Sequence, residues 1–100
     1  MAEDKVRGYL LAPANPRSRG KPVFFQALGF AADDWEVLRG CLLEIAATGD
    51  AAETAASPFG RKFEIHATLT GPSGRTASVC TIWIIESGPC LPRFVTAYPT

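Results

Sequence analysis

The first half of the chain places apolar residues at helical spacing. Val6, Tyr9 and Leu10 recur at i, i+3 and i+4, which predicts a short helix over residues 4–11. Pro13 ends this helix, because proline cannot continue the backbone hydrogen-bond pattern.

A second helix is predicted over residues 23–28, where the apolar residues share one face. Pro22 suits its first turn, because the missing N–H has no helical partner there. We expect Gly29 to follow the helix as its cap, with Phe30 folding back as in a Schellman motif.

A third helix is predicted from Asp33 to about Ala47. Asp33 and Glu36 have the spacing of a capping box, and Gly49 ends the pattern. Residues 48–59 are rich in alanine without a clear apolar period, which predicts a linker. The apolar stripe of the helix consists of Trp35, Leu38, Leu42 and Ile45.

After Gly60 the apolar period changes from 3.6 residues to 2, which predicts a strand with one buried face. A four-residue turn over 71–74 leads into a second strand over 75–86, and a last strand covers 93–98. Residues 82–85 are apolar on both faces, so we expect the second strand to be central. The alternating residues of the first strand are Phe63, Ile65, Ala67 and Leu69.

These elements predict an α+β fold in which about three N-terminal helices pack on one face of a C-terminal antiparallel β-meander of three or four strands. One hundred residues provide material for a single domain, 1–100. Its expected parts are a helical part over 4–47, the linker over 48–59 and a sheet part over 60–98.

Ten basic and ten acidic residues give a net charge of zero, which argues against the uniformly basic surface of many nucleic-acid binders. The charges are nevertheless segregated, with +5 over residues 5–21 and −5 over residues 22–56. Two interpretations stand: both segments are solvated faces that serve solubility, or a basic surface for phosphate is offset by an acidic helix elsewhere.

The N-terminus lacks the pattern of a signal peptide, and no apolar run reaches the roughly 18 residues that cross a bilayer. We therefore expect a cytoplasmic chain without membrane contact. Three widely spaced cysteines favour a reduced protein. With one histidine and no Cys-x-x-Cys pair, neither a metal nor another cofactor is predicted.

The single histidine is a candidate general acid or base, because histidine exchanges protons near neutral pH. In the predicted strand, His66 lies on the same polar side as Lys62, Glu64, Thr68 and Thr70. The alternative is that His66 is only a solvated residue on the wet face of a strand.

Two other groups of residues suit phosphate chemistry. Arg17, Arg19 and Lys21 form a basic loop before a helix N-terminus, where free N–H groups attract anions, although such loops are usually inert. Thr96 and Tyr98 place a hydroxyl and a phenol on one face of the last strand, where they can orient or protonate a phosphodiester. The alternative is that Tyr98 covers the core edge with its ring.

Several separated motifs occur in a fixed order along nearly the whole chain. They are Tyr9-Leu10-Leu11, Arg19-Gly20-Lys21 with Phe24-Phe25, Ala27-Leu28-Gly29-Phe30, Leu69-Thr70-Gly71-Pro72 with Gly74-Arg75, Trp83, and Pro92-Arg93-Phe94-Val95-Thr96-Ala97-Tyr98. Together they resemble a family of small uncharacterised bacterial domains that is named only as a domain of unknown function.

More distantly, helices before an antiparallel sheet, with a basic residue at a helix start and a Thr/Tyr pair on the final strand, are similar to the barnase, colicin and RelE type of ribonuclease toxin. This resemblance implies metal-independent RNA cleavage by attack of the 2′-hydroxyl, with cations stabilising the pentavalent phosphate. The implied site consists of Lys21, Arg75, Thr96, Tyr98 and His66 for catalysis, and Arg17, Arg19 and Lys62 for substrate binding.

Two hypotheses of function follow. The first is a ribonuclease-like toxin domain, with RNA as substrate and a cognate neutralising protein as partner. The second is a non-catalytic interaction module that binds a protein through exposed Phe25, Trp83 or Tyr98. The first requires the candidate residues to converge on one concave surface, whereas the second requires a flat apolar patch.

Overall fold

The computed structural model describes residues 6–11, 20–58, 60–86 and 92–100. One π-helical turn, Val6–Leu10, comes first, and a 3-10 turn, Ala32–Asp34, precedes the second α-helix. The α-helices are α1 (Lys21–Ala27) and α2 (Trp35–Thr48). The strands are β1 (Ala51–Ser57), β2 (Gly60–Thr70), β3 (Thr76–Glu86) and β4 (Arg93–Pro99).

The four strands form one antiparallel sheet in the order β1-β2-β3-β4, so the expected meander is confirmed with four strands. β2 and β3 are paired over their whole length, from Gly60 opposite Glu86 to Thr70 opposite Thr76. β4 pairs with β3 through a register shift next to Trp83. β3 therefore lies between two partners, as the apolar residues 82–85 indicated.

The pleat of the sheet separates a buried face from a face that we call the open face. On the buried face, apolar strand residues join apolar residues of the helical segments in one cluster. On the open face lie the intervening residues of β2, β3 and β4, which are mainly polar at the surface. The strand members of the buried cluster are Ile65, Leu69, Val79, Trp83, Phe94 and Ala97.

The end of α1 is tied to the β2–β3 turn. Phe30 N–H donates to Phe25 O and Gly29 N–H donates to Gln26 O, which is the expected Schellman motif, with Gly29 at φ 98°. The Ser73 backbone N–H and hydroxyl both donate to the Leu28 carbonyl, at 3.2 and 2.8 Å. The loop after α1 thereby reaches the far end of the central hairpin.

The segment predicted as a linker over 48–59 contains β1 instead. Residues 51–56 are all exposed, so neither face of this edge strand has to be apolar. The alternation of apolar and polar residues that indicates a half-buried strand is therefore missing from this segment. β1 forms because the outer backbone groups of β2 offer hydrogen-bond partners, from Ala51 opposite Ile65 to Ser57 opposite Gly60. Such pairing needs no particular side chains.

The start of α2 also differs from expectation. The helix begins at Trp35 after the 3-10 turn, and neither Ala31 nor Asp34, the residues that precede the two helical segments, makes a side-chain capping bond. Asp33 instead lies 3.8 Å from Arg7 of the first turn. The predicted stripe is present, because Leu38, Leu42 and Ile45 are buried.

The interaction-module hypothesis required exposed aromatic residues, and the structure corrects two of its three. Phe25 is fully buried and Trp83 is 3% exposed, because both belong to the cluster between the helical segments and the sheet. Tyr98 remains exposed at 36%. A flat patch made of these three side chains therefore does not exist.

Candidate functional site

The middle of the open face carries a row of three residues, one from each of three adjacent strands. His66 of β2 lies opposite Cys80 of β3, which in turn lies opposite Tyr98 of β4. We call His66, Cys80 and Tyr98 the central row. The next row along the strands consists of Glu64, Ile82 and Thr96.

The central row combines a buried thiol with two accessible polar side chains. Cys80 has no exposed surface, whereas the His66 side chain is 64% exposed. Glu64 Oε2 lies 4.0 Å from His66 Nε2. One ligand-type atom from each of Glu64, His66 and Cys80 lies within 4.8 Å of the other two. A carboxylate, an imidazole and a thiol thus lie close together on the open face.

Tyr98 completes the row from the other side. A hydrogen bond with Cys80, together with partial desolvation and the negative charge of Glu64, raises the pKa of Tyr98 to about 12. The phenol therefore keeps its proton in neutral solution and acts as a hydrogen-bond donor. A group of this kind can hold a proton until a strongly basic oxygen develops beside it.

Cationic residues lie on the open face at one end of the sheet, beside a cavity of about 460 Å³. Lys62 lies opposite Ile84, which pairs with Arg93 on the other side. Arg93 Nη2 is 3.0 Å from a carboxylate oxygen of Glu86. The residues that line this cavity include three cations, Arg61, Lys62 and Arg93, and one carboxylate, Glu86, so their net charge is positive.

A second cavity of about 460 Å³ lies on the other side of the central row. Among its lining residues are His66, Thr68, Ser78 and Thr100, which present an imidazole and hydroxyl groups. The central row thus lies between a cationic cavity and a hydroxyl-lined cavity on one continuous face. An extended polar ligand lying along the strands would pass over all three.

The structure brings together four of the residues singled out in the sequence. Lys62, His66, Thr96 and Tyr98 all lie on the open face, at alternate positions of β2 and β4. The pleat gives the residues of each strand a common orientation, so alternation along the sequence was sufficient to group Lys62 with His66 and Thr96 with Tyr98. The register between the strands then places both pairs on one face.

Two other predicted catalytic residues lie elsewhere. Arg75 is exposed just before β3, and the first residue of that strand, Thr76, is about 13 Å from Cys80 at the usual rise per residue. Lys21 begins α1, a helix whose Phe25 belongs to the cluster on the opposite face of the sheet. Arg17 and Arg19 lie outside the described residues.

Sequence reasoning placed Glu64 on the same side as His66, but it did not find Cys80 or Arg93 as members of this face. Cys80 is buried, but it does not belong to the apolar cluster and lies on the open face between His66 and Tyr98. The sequence did contain a signal for the face on which Cys80 lies. Successive residues of a strand point to opposite faces, so Cys80 shares a face with Ile82 and not with Val79 or Trp83. Register between the strands then selected its neighbours.

The whole chain, residues 1–100, matches the family model DUF6883, described as a domain of unknown function. The chain belongs to this family. No curated protein matches this DUF6883 chain.

A solved structure shares the fold of the DUF6883 chain. It is a chain of a contact-dependent growth inhibition toxin–immunity protein complex from Klebsiella pneumoniae 342. The two chains are 17% identical, with a TM-score of 0.72, over 98% of this chain and 94% of that chain. Within the parts of the DUF6883 chain that the structure describes, no helix has the length and apolar character needed to cross a membrane.

Proposed function

We propose that this DUF6883 chain is a toxin domain that cleaves RNA, with the open face of its sheet as the active surface. The observation that carries the proposal is the central row, in which a phenol that holds its proton and an accessible imidazole flank one buried thiol. An acid and a base separated by one strand suit the two sides of a phosphodiester.

In the proposed reaction the 2′-hydroxyl oxygen of the substrate attacks the adjacent phosphorus. His66 accepts the proton of that hydroxyl, and the bond from phosphorus to the 5′-oxygen breaks. Tyr98 donates its proton to the leaving 5′-oxygen, so the products are a 2′,3′-cyclic phosphate and a free 5′-hydroxyl. Thr96, in the neighbouring row, donates a hydrogen bond that positions the phosphate. Acid and base are both side chains, so this route needs no metal ion.

The flanking groups bind the rest of the substrate. Lys62 and Arg93 border the cationic cavity at one end of the face, where they bind backbone phosphates away from the cleaved bond. Arg75, beyond the other end of β3, is proposed to contact the RNA chain there. Lys21 and the loop of Arg17 and Arg19 remain predicted contacts without an assigned position on this surface.

We further propose that a cognate neutralising protein covers the open face. The structural neighbour comes from a toxin–immunity protein complex, which supports a protein partner for this fold. The same neighbour supports a second candidate function, in which this chain is the neutralising protein. Expression separates the two: a toxin arrests the host cell, whereas a neutralising protein leaves growth unchanged.

The test combines growth with RNA cleavage by the purified chain. We expect induced expression to arrest bacterial growth, and the purified protein to cleave total cellular RNA in the presence of EDTA. His66→Ala and Tyr98→Phe should each lower the cleavage rate by at least about 100-fold, because each removes one proton-transfer group. Cleaved fragments should carry a 2′,3′-cyclic phosphate.

Matched substitutions on the same face serve as controls. Thr96→Ala should slow cleavage, whereas Thr76→Ala, an exposed threonine at the far end of the face, should leave it unchanged. Lys62→Ala should raise KM with little change in kcat, because it removes a contact to the RNA backbone. Normal growth with a soluble, folded protein that leaves RNA intact would refute the proposal.

A further inference from the structure

The open face contains a donor set for a transition-metal ion that the sequence did not predict. Glu64 and His66 lie two residues apart on β2, and Cys80 lies opposite His66 on β3. Cys80 comes 14 positions after His66, so the set exists only because the hairpin closes. One carboxylate, one imidazole and one thiol are the three donor types that zinc accepts in proteins.

We propose that Glu64, His66 and Cys80 bind one Zn²⁺ ion, with water in the fourth position. The three donor atoms lie within 4.8 Å of one another. An ion at the centre of an equilateral triangle of that size is about 2.8 Å from each corner, whereas zinc bonds to these donors are about 2.0–2.3 Å long. An inward movement of less than about 1 Å by each side chain therefore completes the coordination.

The surroundings of the site favour a soft divalent cation over Mg²⁺ or Ca²⁺. The sulfur of Cys80 is fully buried, and hard cations prefer sites built from oxygen donors. His66 and Glu64 lie on the solvent side, with side chains 64% and 31% exposed, so an ion can enter from that side. Tyr98 lies opposite Cys80 on β4, so it flanks the thiol on the side away from His66.

Occupation of this site would silence the proposed reaction, and this part of the inference rests on the proposed function. An imidazole nitrogen that binds zinc cannot accept a proton from the 2′-hydroxyl. Zinc would therefore be a reversible inhibitor of RNA cleavage and not a cofactor for it. The binding itself does not depend on whether the chain cleaves RNA.

The experiment titrates the purified, reduced chain with Co²⁺ as a visible substitute for Zn²⁺, followed by displacement with Zn²⁺. We expect one ion per chain and a thiolate-to-cobalt absorption band that Zn²⁺ abolishes. Cys80→Ser should remove this band. Glu64→Gln, which alters a partly exposed donor, should weaken Zn²⁺ binding by at least about tenfold.

The matched control is the double variant Cys41→Ser with Cys90→Ser, which leaves Cys80 as the only cysteine of the chain. It should keep both the band and the stoichiometry. Absence of saturable binding, or binding that survives both Cys80→Ser and His66→Ala, would overturn the zinc site. If the chain cleaves RNA but shows no cobalt band, the zinc site is refuted and the proposed function stands. If the chain shows the band but leaves RNA intact, the proposed function is refuted and the zinc site stands.

Discussion

The hydrogen bonds of Thr81, which lies on the opposite side of β3 from the proposed active surface, allow a quantitative test of the structure. Thr81 has no exposed surface and lies on the buried face of β3, between Cys80 and Ile82. Its hydroxyl donates to the Ile65 carbonyl at 3.1 Å and accepts a hydrogen bond from the Trp83 indole N–H at 2.9 Å. Thr81→Val preserves the volume and the β-branched shape but removes both bonds.

The expected loss of stability comes from the indole N–H of Trp83. Trp83 is 3% exposed, so without Thr81 its N–H is left buried without an acceptor, which costs about 1–3 kcal/mol. The added methyl group recovers part of this through apolar burial, at most about 0.8 kcal/mol. We therefore expect Thr81→Val to lower the free energy of unfolding by about 1–2 kcal/mol, or the melting temperature by roughly 4–16 °C in a domain of this size.

Urea unfolding followed by tryptophan fluorescence and circular dichroism measures this loss, with an unchanged m-value as the check that the fold persists. The matched background is Trp83→Phe, which has no N–H to leave unpaired. There Thr81→Val should cost about 1 kcal/mol less than in the natural chain. Equal losses in the two backgrounds, or a loss below about 0.5 kcal/mol in the natural chain, would refute this account of the buried hydrogen bonds.

Two further predictions concern backbone space and charge. Gly71→Ala should lower the melting temperature more than Gly74→Ala, because a Cβ at Gly71 would collide with the Leu28 carbonyl. At Gly74 a substitution meets only the strain of the positive φ of 86°, which costs about 1 kcal/mol. Equal effects of the two substitutions would contradict the close approach of Gly71 to Leu28. The hydrogen bond from Arg61 lowers the pKa of Glu53 in the folded chain. The Arg61–Glu53 pair therefore stabilises the fold at pH values above the ordinary pKa of a glutamate, and this stabilisation is lost as the pH falls through the lowered pKa of Glu53. Glu53→Gln should therefore lower the melting temperature slightly at pH 7 and not at the acid end of a pH series; a loss independent of pH would contradict the pairing.

Segments with a strong side-chain period could be predicted from the amino-acid pattern alone. β2 follows from alternation of apolar and polar residues, β3 follows from the turn over 71–74 and the apolar residues 82–85, and α2 follows from Leu38, Leu42 and Ile45. The same parity placed Lys62 and His66 on one face, because in a pleated strand every second side chain points to the same side. Local backbone geometry was also encoded locally, as the Schellman motif at Gly29 shows.

The alignment of the strands is set by contacts between distant segments of the folded chain, and the proposed site depends on that alignment. Residues 51–56 of β1 have exposed, mostly small side chains, and the strand exists through backbone pairing with β2, which leaves no pattern in the sequence. Cys80 meets His66 and Tyr98 because of the register between neighbouring strands, and a shift of one residue would turn it to the opposite face. Register is fixed by the turn, the bulge in β4 and the packing of the buried face together, so it is a property of the folded chain and not of any one segment.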